Sequence, residues 1–246
     1  MWTDAIDLRD FYASHLGQVT SGVIRNRVRS MWPNVRGQSV LGIGYAVPYL
    51  TPFRTEAERV VAAMPAPQGV LHWPSDGPSL TALTGEFELP FADLSFDRVL
   101  LVHALECAER TRPLMREIWR VLAGGGRLLV VVPNRRGLWA RFERTPLAQG
   151  QPYSAGQLNR LLRDSLFTPI AMRAGLYIPP FKSRMLLKAA PAIERLGERC
   201  RAATFAGVVM GEATKQIYAG QPEIAVRRTA YVPAGGRPGA GRVVNN

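Results

Sequence analysis

A chain of 246 residues, 47% apolar and 20% charged, is long enough to bury one large α/β core without cross-links. Its two cysteines, Cys107 and Cys200, stand far apart and its three histidines are scattered, so neither a disulfide framework nor a metal site is expected. The net charge of +12 is carried almost wholly by arginine and favours anionic partners, although a solvated arginine-rich surface is the plainer account. With no apolar run near the ~20 residues of a bilayer span and no basic-then-apolar leader at the start, no transmembrane segment is expected and a cytoplasmic protein is.

Residues 1–36 read as an N-terminal helical extension. Asp4 caps a first helix with Leu8, Phe11, Tyr12 and His15 on one face, and Gly17 breaks the pattern. A second helix carries Val19, Val23, Ile24, Val28 and Met31 inward and stops at Pro33-Asn34. From residue 37 short apolar runs alternate with helical patterns. Ser39 to Ile43, Arg59 to Met64 and Asp97 to Val102 read as strands, with Val70 to Trp73 as a short extra element. Arg127 to Val132 is continuously apolar after its first residue, as a strand buried on both faces should be. Before it, Met115, Ile118, Trp119 and Leu122 mark a helix that Pro113 opens and Gly124-Gly125-Gly126 closes. That strand–helix–strand unit implies parallel pairing with a right-handed crossover.

Ser154 caps a further helix with Leu158, Leu161, Leu162 and Leu166 inward. Leu176 to Ile178 reads as a short strand, residues 184–203 as a basic helical stretch, and Phe205 to Gln216 as the last strand. Residues 37–220 therefore form an α/β domain. Residues 221–246, rich in proline, glycine and arginine, read as a disordered basic tail.

The chemistry-bearing segments lie where strands end. Val40-Leu41 runs into Gly42-Ile43-Gly44-Tyr45-Ala46-Val47-Pro48, a glycine turn of the kind that lets a nucleotide approach the backbone. The segments Glu88-Leu89-Pro90-Phe91-Ala92-Asp93-Leu94-Ser95-Phe96-Asp97 and Glu117-Ile118-Trp119-Arg120-Val121-Leu122-Ala123-Gly124-Gly125-Gly126-Arg127-Leu128 follow in order. Together these resemble the class I S-adenosylmethionine-dependent methyltransferases, and most nearly the type-11 methyltransferase domain, over roughly residues 37–134.

The resemblance implies a Rossmann-like, doubly wound, mostly parallel seven-stranded sheet with helices on both faces. It also implies an S-adenosylmethionine-dependent methyltransferase with the cofactor over the carboxyl ends of the strands. Carried over by position, Gly42, Gly44 and Tyr45 face the methionine part, Met64 falls where the ribose is gripped, and Glu86 and Phe87 fall beside the adenine. His103 falls on the turn nearest the methyl group and is the candidate catalytic residue. The turn departs from the family in having Gly42 where an acid is usual and Ala46 and Pro48 in place of later glycines. Met64 likewise replaces an acid.

His103 acts as a base or orients a substrate on one reading, and is a hydrogen-bonded structural histidine on the other. Glu106 reads first as a cap of the following helix and second as a partner for a basic group. Tyr45 lies either over the cofactor or against the first helices. Residues 110–144 hold nine arginines and two glutamates. Within them, Arg135, Arg136, Trp139 and Arg141 form an arginine-aromatic loop suited to an anionic or single-stranded nucleic-acid partner, unless Trp139 simply anchors the loop. No Gly-x-Ser-x-Gly elbow supports a hydrolase. The competing functional readings are an active methyltransferase of unknown acceptor, a non-catalytic relative serving as a binding or regulatory module, and a nucleic-acid-associated protein.

Overall fold

The computed structural model describes residues 2–181, 183–200 and 203–215. The residues after 215, including the proposed tail, lie outside it.

Two helices open the chain, α1 (Ala5–Ala13) and α2 (His15–Met31). Asp4 caps α1 by accepting from the Ile6 N–H at 2.7 Å. The break between them falls at Ser14, not at Gly17. Ser14 ends α1 and accepts from the Gly17 N–H, while Gly17 sits inside α2 against the backbone of Phe11 and Tyr12, where a Cβ would not fit.

Seven strands follow: β1 (Ser39–Gly44), β2 (Arg59–Pro65), β3 (Thr81–Thr84), β4 (Phe96–Val102), β5 (Leu122–Pro133), β6 (Phe167–Gly175) and β7 (Val208–Lys215). They form one sheet in the order β3-β2-β1-β4-β5-β7-β6. β1 to β5 pair in parallel, and β7 pairs antiparallel with both β5 and β6. The doubly wound, mostly parallel sheet expected from the sequence is thus present.

Strand alternation builds two cores. Val40, Ala62, Met64, Leu100, Val102, Leu129 and Val131 face one side, covered by α1, α2 and the short helix α3 (Val47–Leu50). Leu41, Ile43, Ala63, Val99, Leu101, Leu128 and Val130 face the other, covered by α4 (Thr111–Val121) and α5 (Ala155–Asp164). On α4, Leu114, Met115, Ile118 and Val121 are fully buried, and burial of each such side chain stabilises by about 1.5–3 kcal/mol. Ser154 and Gln157 form a reciprocal capping box on α5.

Several expected elements moved. Val70 to Trp73 is irregular, and the third strand is Thr81–Thr84. Leu176 to Ile178 is not a strand; the strand before it is β6. The three glycines after α4 lie within β5, because the helix already ends at Val121. Leu166 is 49% exposed at a positive φ of 63°, so it ends α5's apolar face instead of extending it. The basic stretch forms α6 (Arg184–Lys188) and α7 (Ala190–Arg199).

Helix α7 holds the segment after β6 through Glu194. Its buried carboxylate accepts from the backbone N–H groups of Leu176, Tyr177 and Ile178. Glu194→Ala orphans three N–H donors, and each buried orphan costs about 1–3 kcal/mol. The expected loss is ~3 kcal/mol, read as a fall in the urea midpoint. Burial outweighs these bonds and lifts the Glu194 carboxyl above its ordinary range. Its contribution is therefore largest below that range and fades as pH rises through the lifted value. Glu194→Gln keeps an acceptor and is expected to flatten that pH dependence.

Candidate functional site

In an open sheet wound in both directions, ligands meet the strand ends where the order reverses. Here the order reverses between β1 and β4, so Gly44 and His103 flank the switch point. Gly44 has a φ of +79°, and a Cβ there would meet the Val102 carbonyl, His103 O at 2.8 Å and Ala104 Cβ at 2.9 Å. His103 follows β4 at a φ of 51°, unusual for a residue with a side chain. At Gly42 a Cβ would meet Leu50 Cδ1 at 2.6 Å and Ala46 Cβ at 2.7 Å. The room the family gives to an acid is taken by α3, which explains the glycine.

A buried line of polar groups starts at the switch point. Tyr49 donates its hydroxyl to Tyr12 at 2.9 Å, and the Tyr12 hydroxyl lies 2.7 Å from His103 Nε2. With Tyr49 donating to Tyr12, Tyr12 donates to Nε2, and the proton on Nδ1 faces Glu106 Oε1 at 3.4 Å. His103 and Glu106 are 1% and 3% exposed. Burial raises the pKa of Tyr12 well above its ordinary value, and that of Tyr45 to about 12, so both are neutral phenols. Tyr45 stacks on Tyr12 with ring centroids 5.7 Å apart and planes 5° apart. Tyr45 therefore lies against the first helix, in contact with the same ring that His103 holds.

Glu106 does not cap α4, which begins at Thr111 without a side-chain cap. It is held instead by the loop after β5: Gln151 donates to its carbonyl at 2.7 Å, and Gly150 packs against that carbonyl at positive φ.

At the ends of β2 and β3 the residues differ from expectation. Met64 is fully buried, its sulfur 3.4 Å from the Leu71 N–H, and it offers no oxygen to a ribose. Gln68, three residues beyond β2, is the polar group there: it is fully buried and donates to the His103 carbonyl at 3.1 Å. Glu86 accepts from the Trp2 indole at 3.3 Å and from the Glu109 N–H at 2.7 Å. The Phe87 ring lies 4.6 Å from the Arg110 guanidinium. Among the described residues, five buried side-chain atoms lack a partner, and three of them (Gln68 Oε1, Thr84 Oγ1 and Glu106 Oε2) belong to residues at the exits of β2, β3 and β4.

The arginine-aromatic loop is arranged differently from a stacking platform. Arg135, Arg136 and Arg141 are exposed, but Trp139 is fully buried and donates to the Ile178 carbonyl at 2.7 Å. No helix among the described residues is long and apolar enough to cross a membrane.

Comparison with known proteins bears on this strand order and on the crevice between β1 and β4. A family profile described as a methyltransferase domain matches residues 41–130. Over that stretch the chain is similar to methyltransferase domains. An uncharacterized protein of Mycobacterium tuberculosis is 35% identical over 109 residues, 42% of this chain and 38% of that protein. The chain thus spans well under half the length of this curated relative. Solved structures share the fold. A methyltransferase of Thermotoga maritima superposes over 85% of this chain and 94% of its own, with 16% identity and a TM-score of 0.58. A methyltransferase bound to the Trm112 activator of Haloferax volcanii matches over 88% of this chain and 100% of its own, with 18% identity and a TM-score of 0.59. Geranyl diphosphate C-methyltransferase of Streptomyces coelicolor matches over 78% and 76%, with 15% identity and a TM-score of 0.53.

Of the methyltransferase-type residues, the fold brings Gly44, Tyr45 and His103 together at the switch point, with Glu86 and Phe87 at the exit of β3. Tyr12, Tyr49, Gln68, Thr84 and Trp2 join them without having been singled out from the sequence. Gln68, a lone polar residue among Pro65-Ala66-Pro67 and Gly69 just past a strand, was the one available signal.

Proposed function

We propose that the protein is an S-adenosylmethionine-dependent methyltransferase. The observation that carries this reading is the set of three unpartnered buried polar groups at the exits of β2, β3 and β4, inside a methyltransferase fold. Buried polar atoms are normally satisfied, and a cluster of orphans at a switch point suits a polar ligand. The donor set fits the cofactor's chemistry in part. Gln68 and Thr84 offer oxygens beside the ribose position, Glu86 offers a carboxylate at the β3 exit, and Gly44 permits close backbone approach. The acids usual at Gly42 and Met64 are missing, and a hydrogen bond to a charged group is worth about 1.5–3 kcal/mol.

When bound, S-adenosylmethionine supplies an electrophilic methyl group. His103, oriented by Glu106 through Nδ1, keeps Nε2 as a proton acceptor once Tyr12 withdraws from it. The acceptor's approach is a cleft of about 580 Å³ between α1 and the loop after β5, walled by Phe11, Phe142 and Phe181 with Arg144 among its lining residues. Phe11 packs edge-on against Tyr12 at 5.1 Å, so the cleft lies one ring from the His103 line.

Calorimetric titration with S-adenosylhomocysteine is expected to show saturable one-site binding. No heat at millimolar ligand, from this chain and equally from a chain whose residues 2–12 are loosened, overturns the reading. One observation favours a non-catalytic role instead: the packing of α1 over the switch point. Transfer of a labelled methyl group from S-adenosylmethionine to any acceptor separates the two.

A further inference from the structure

The strand ends that would receive a nucleoside are covered by the chain's own beginning. Residues 2–12 cross them in order. Trp2 donates to Glu86 beyond β3 at 3.3 Å. The Thr3 backbone lies beside the thiol of Cys107, beyond β4. Ala5 donates to the Gln68 carbonyl beyond β2 at 2.8 Å. Tyr12 then stacks on Tyr45 beyond β1 and bonds to His103. An indole stands where the adenine is expected, a backbone amide at the ribose position, and a phenol at the methyl-transfer position.

The packing is close. Ala5, Leu8 and Tyr12 are 1%, 0% and 7% exposed, and Tyr12 and His103 are separated by 91 residues in sequence. Nothing local to α1 demands these contacts: its cap is satisfied by Asp4, and its outer face, Ile6, Asp7, Arg9 and Asp10, is exposed. The seal is also imperfect where a ligand would do better, because Gln68 Oε1 and Glu106 Oε2 stay unpartnered beneath it.

We propose that residues 2–12 are an intramolecular occupant of the cofactor trough, and that binding of an adenosyl ligand requires their release. This rests on the methyltransferase reading above. The chain is then in equilibrium between a closed form and a binding-competent one, and the apparent dissociation constant equals the intrinsic one divided by the open fraction. Weakening the segment's contacts tightens binding; fastening the segment abolishes it. A covering helix that formed part of the binding surface would give the opposite signs.

The test uses S-adenosylhomocysteine and isothermal calorimetry on the full chain carrying Cys200→Ser, which leaves Cys107 as its sole thiol. Trp2→Ala removes the indole and its bond to Glu86 and is expected to lower the apparent dissociation constant at least tenfold. Tyr12→Phe removes only the hydroxyl between Tyr49 and His103, keeps the fold's packing, and is expected to lower it several-fold. Thr3→Cys, oxidised to a disulfide with Cys107, is expected to weaken binding at least a hundredfold, with recovery on reduction. Equal or weaker binding by both loosened variants, or full binding by the oxidised protein, overturns the occlusion alone. If the reduced, loosened and parent proteins all fail to bind at millimolar ligand, the methyltransferase reading falls and the proposal falls with it.

Discussion

Gly44→Ala is expected to destabilise the fold by about 2–5 kcal/mol, enough to threaten a domain whose whole stability is about 5–15 kcal/mol. Two costs add. The residue sits at a φ of +79°, and the left-handed region costs an L residue roughly 1–2 kcal/mol. The new methyl also meets the backbone carbonyls of Val102 and His103, and overpacking of this kind costs about 1–3 kcal/mol. The Val102 carbonyl belongs to the end of a central strand, and the His103 carbonyl is held by the Gln68 side chain at 3.1 Å. Two other glycines separate the terms. Gly125 has a φ of +75° with nothing within 4 Å of a built Cβ, so Gly125→Ala pays only the backbone cost. Gly42 has an ordinary φ, so Gly42→Ala carries only the packing cost, against Leu50 Cδ1 and Ala46 Cβ. The expected order of urea midpoints is Gly44→Ala lowest, with both controls above it at unchanged m. A Gly44→Ala protein as stable as Gly125→Ala would show that the β1 turn relaxes, and the close approach would lose its meaning.

That turn also shows which parts of the fold sequence could reveal. β1, β4 and β5 lie in the sheet's interior, so both their faces are apolar and their runs are continuous. Edge elements carry no such signal. β3 has four residues, of which only Thr84 is buried, and β6 is half-buried along its length and contains Pro169. Helix α4 was legible from its spacing, but its end was not: Leu122 continues the helical period while its backbone already belongs to β5. The candidate site divides the same way. Gly44 and His103 stand at the exits of β1 and β4, which the alternation of elements makes visible, whereas Glu86 follows β3, which it does not, and was reached only through the family resemblance. Tyr12 and Trp2 reach the site across 91 and 84 residues of chain. Helix α1, which carries Tyr12 and which Trp2 precedes, reads from sequence only as an amphipathic extension, and no periodicity says which strand ends its apolar face will cover. Glu106 looked like a cap because of its place before a helix. Its role follows from the loop at Gly150 and Gln151, again a contact between distant segments.

Trp139→Ala is expected to cost about 3–5 kcal/mol, the range for deleting a large buried aromatic. The upper part of the range applies because the hole cannot close. Trp139 is fully buried, its indole donates to the Ile178 carbonyl at 2.7 Å, and a Cβ on Gly207 would fall 2.9 Å from its Cγ. Backbone segments on two sides thus frame the ring, and the Ile178 carbonyl loses its partner as well. Trp139 thereby ties the loop after β5 to the segment that Glu194 fixes from α7. An anionic partner on this face would meet Arg135, Arg136 and Arg141 without an aromatic platform. Arg→Gln changes at those three exposed positions are therefore expected to alter stability by no more than about 0.5 kcal/mol. If single-stranded DNA binds there, each lost phosphate contact lowers the magnitude of its salt slope by about 0.7. Urea denaturation of the four variants, with fluorescence polarisation of labelled DNA across a salt series, separates the two roles. A Trp139→Ala protein within 1 kcal/mol of the parent would sink the anchoring account and return the ring to the surface.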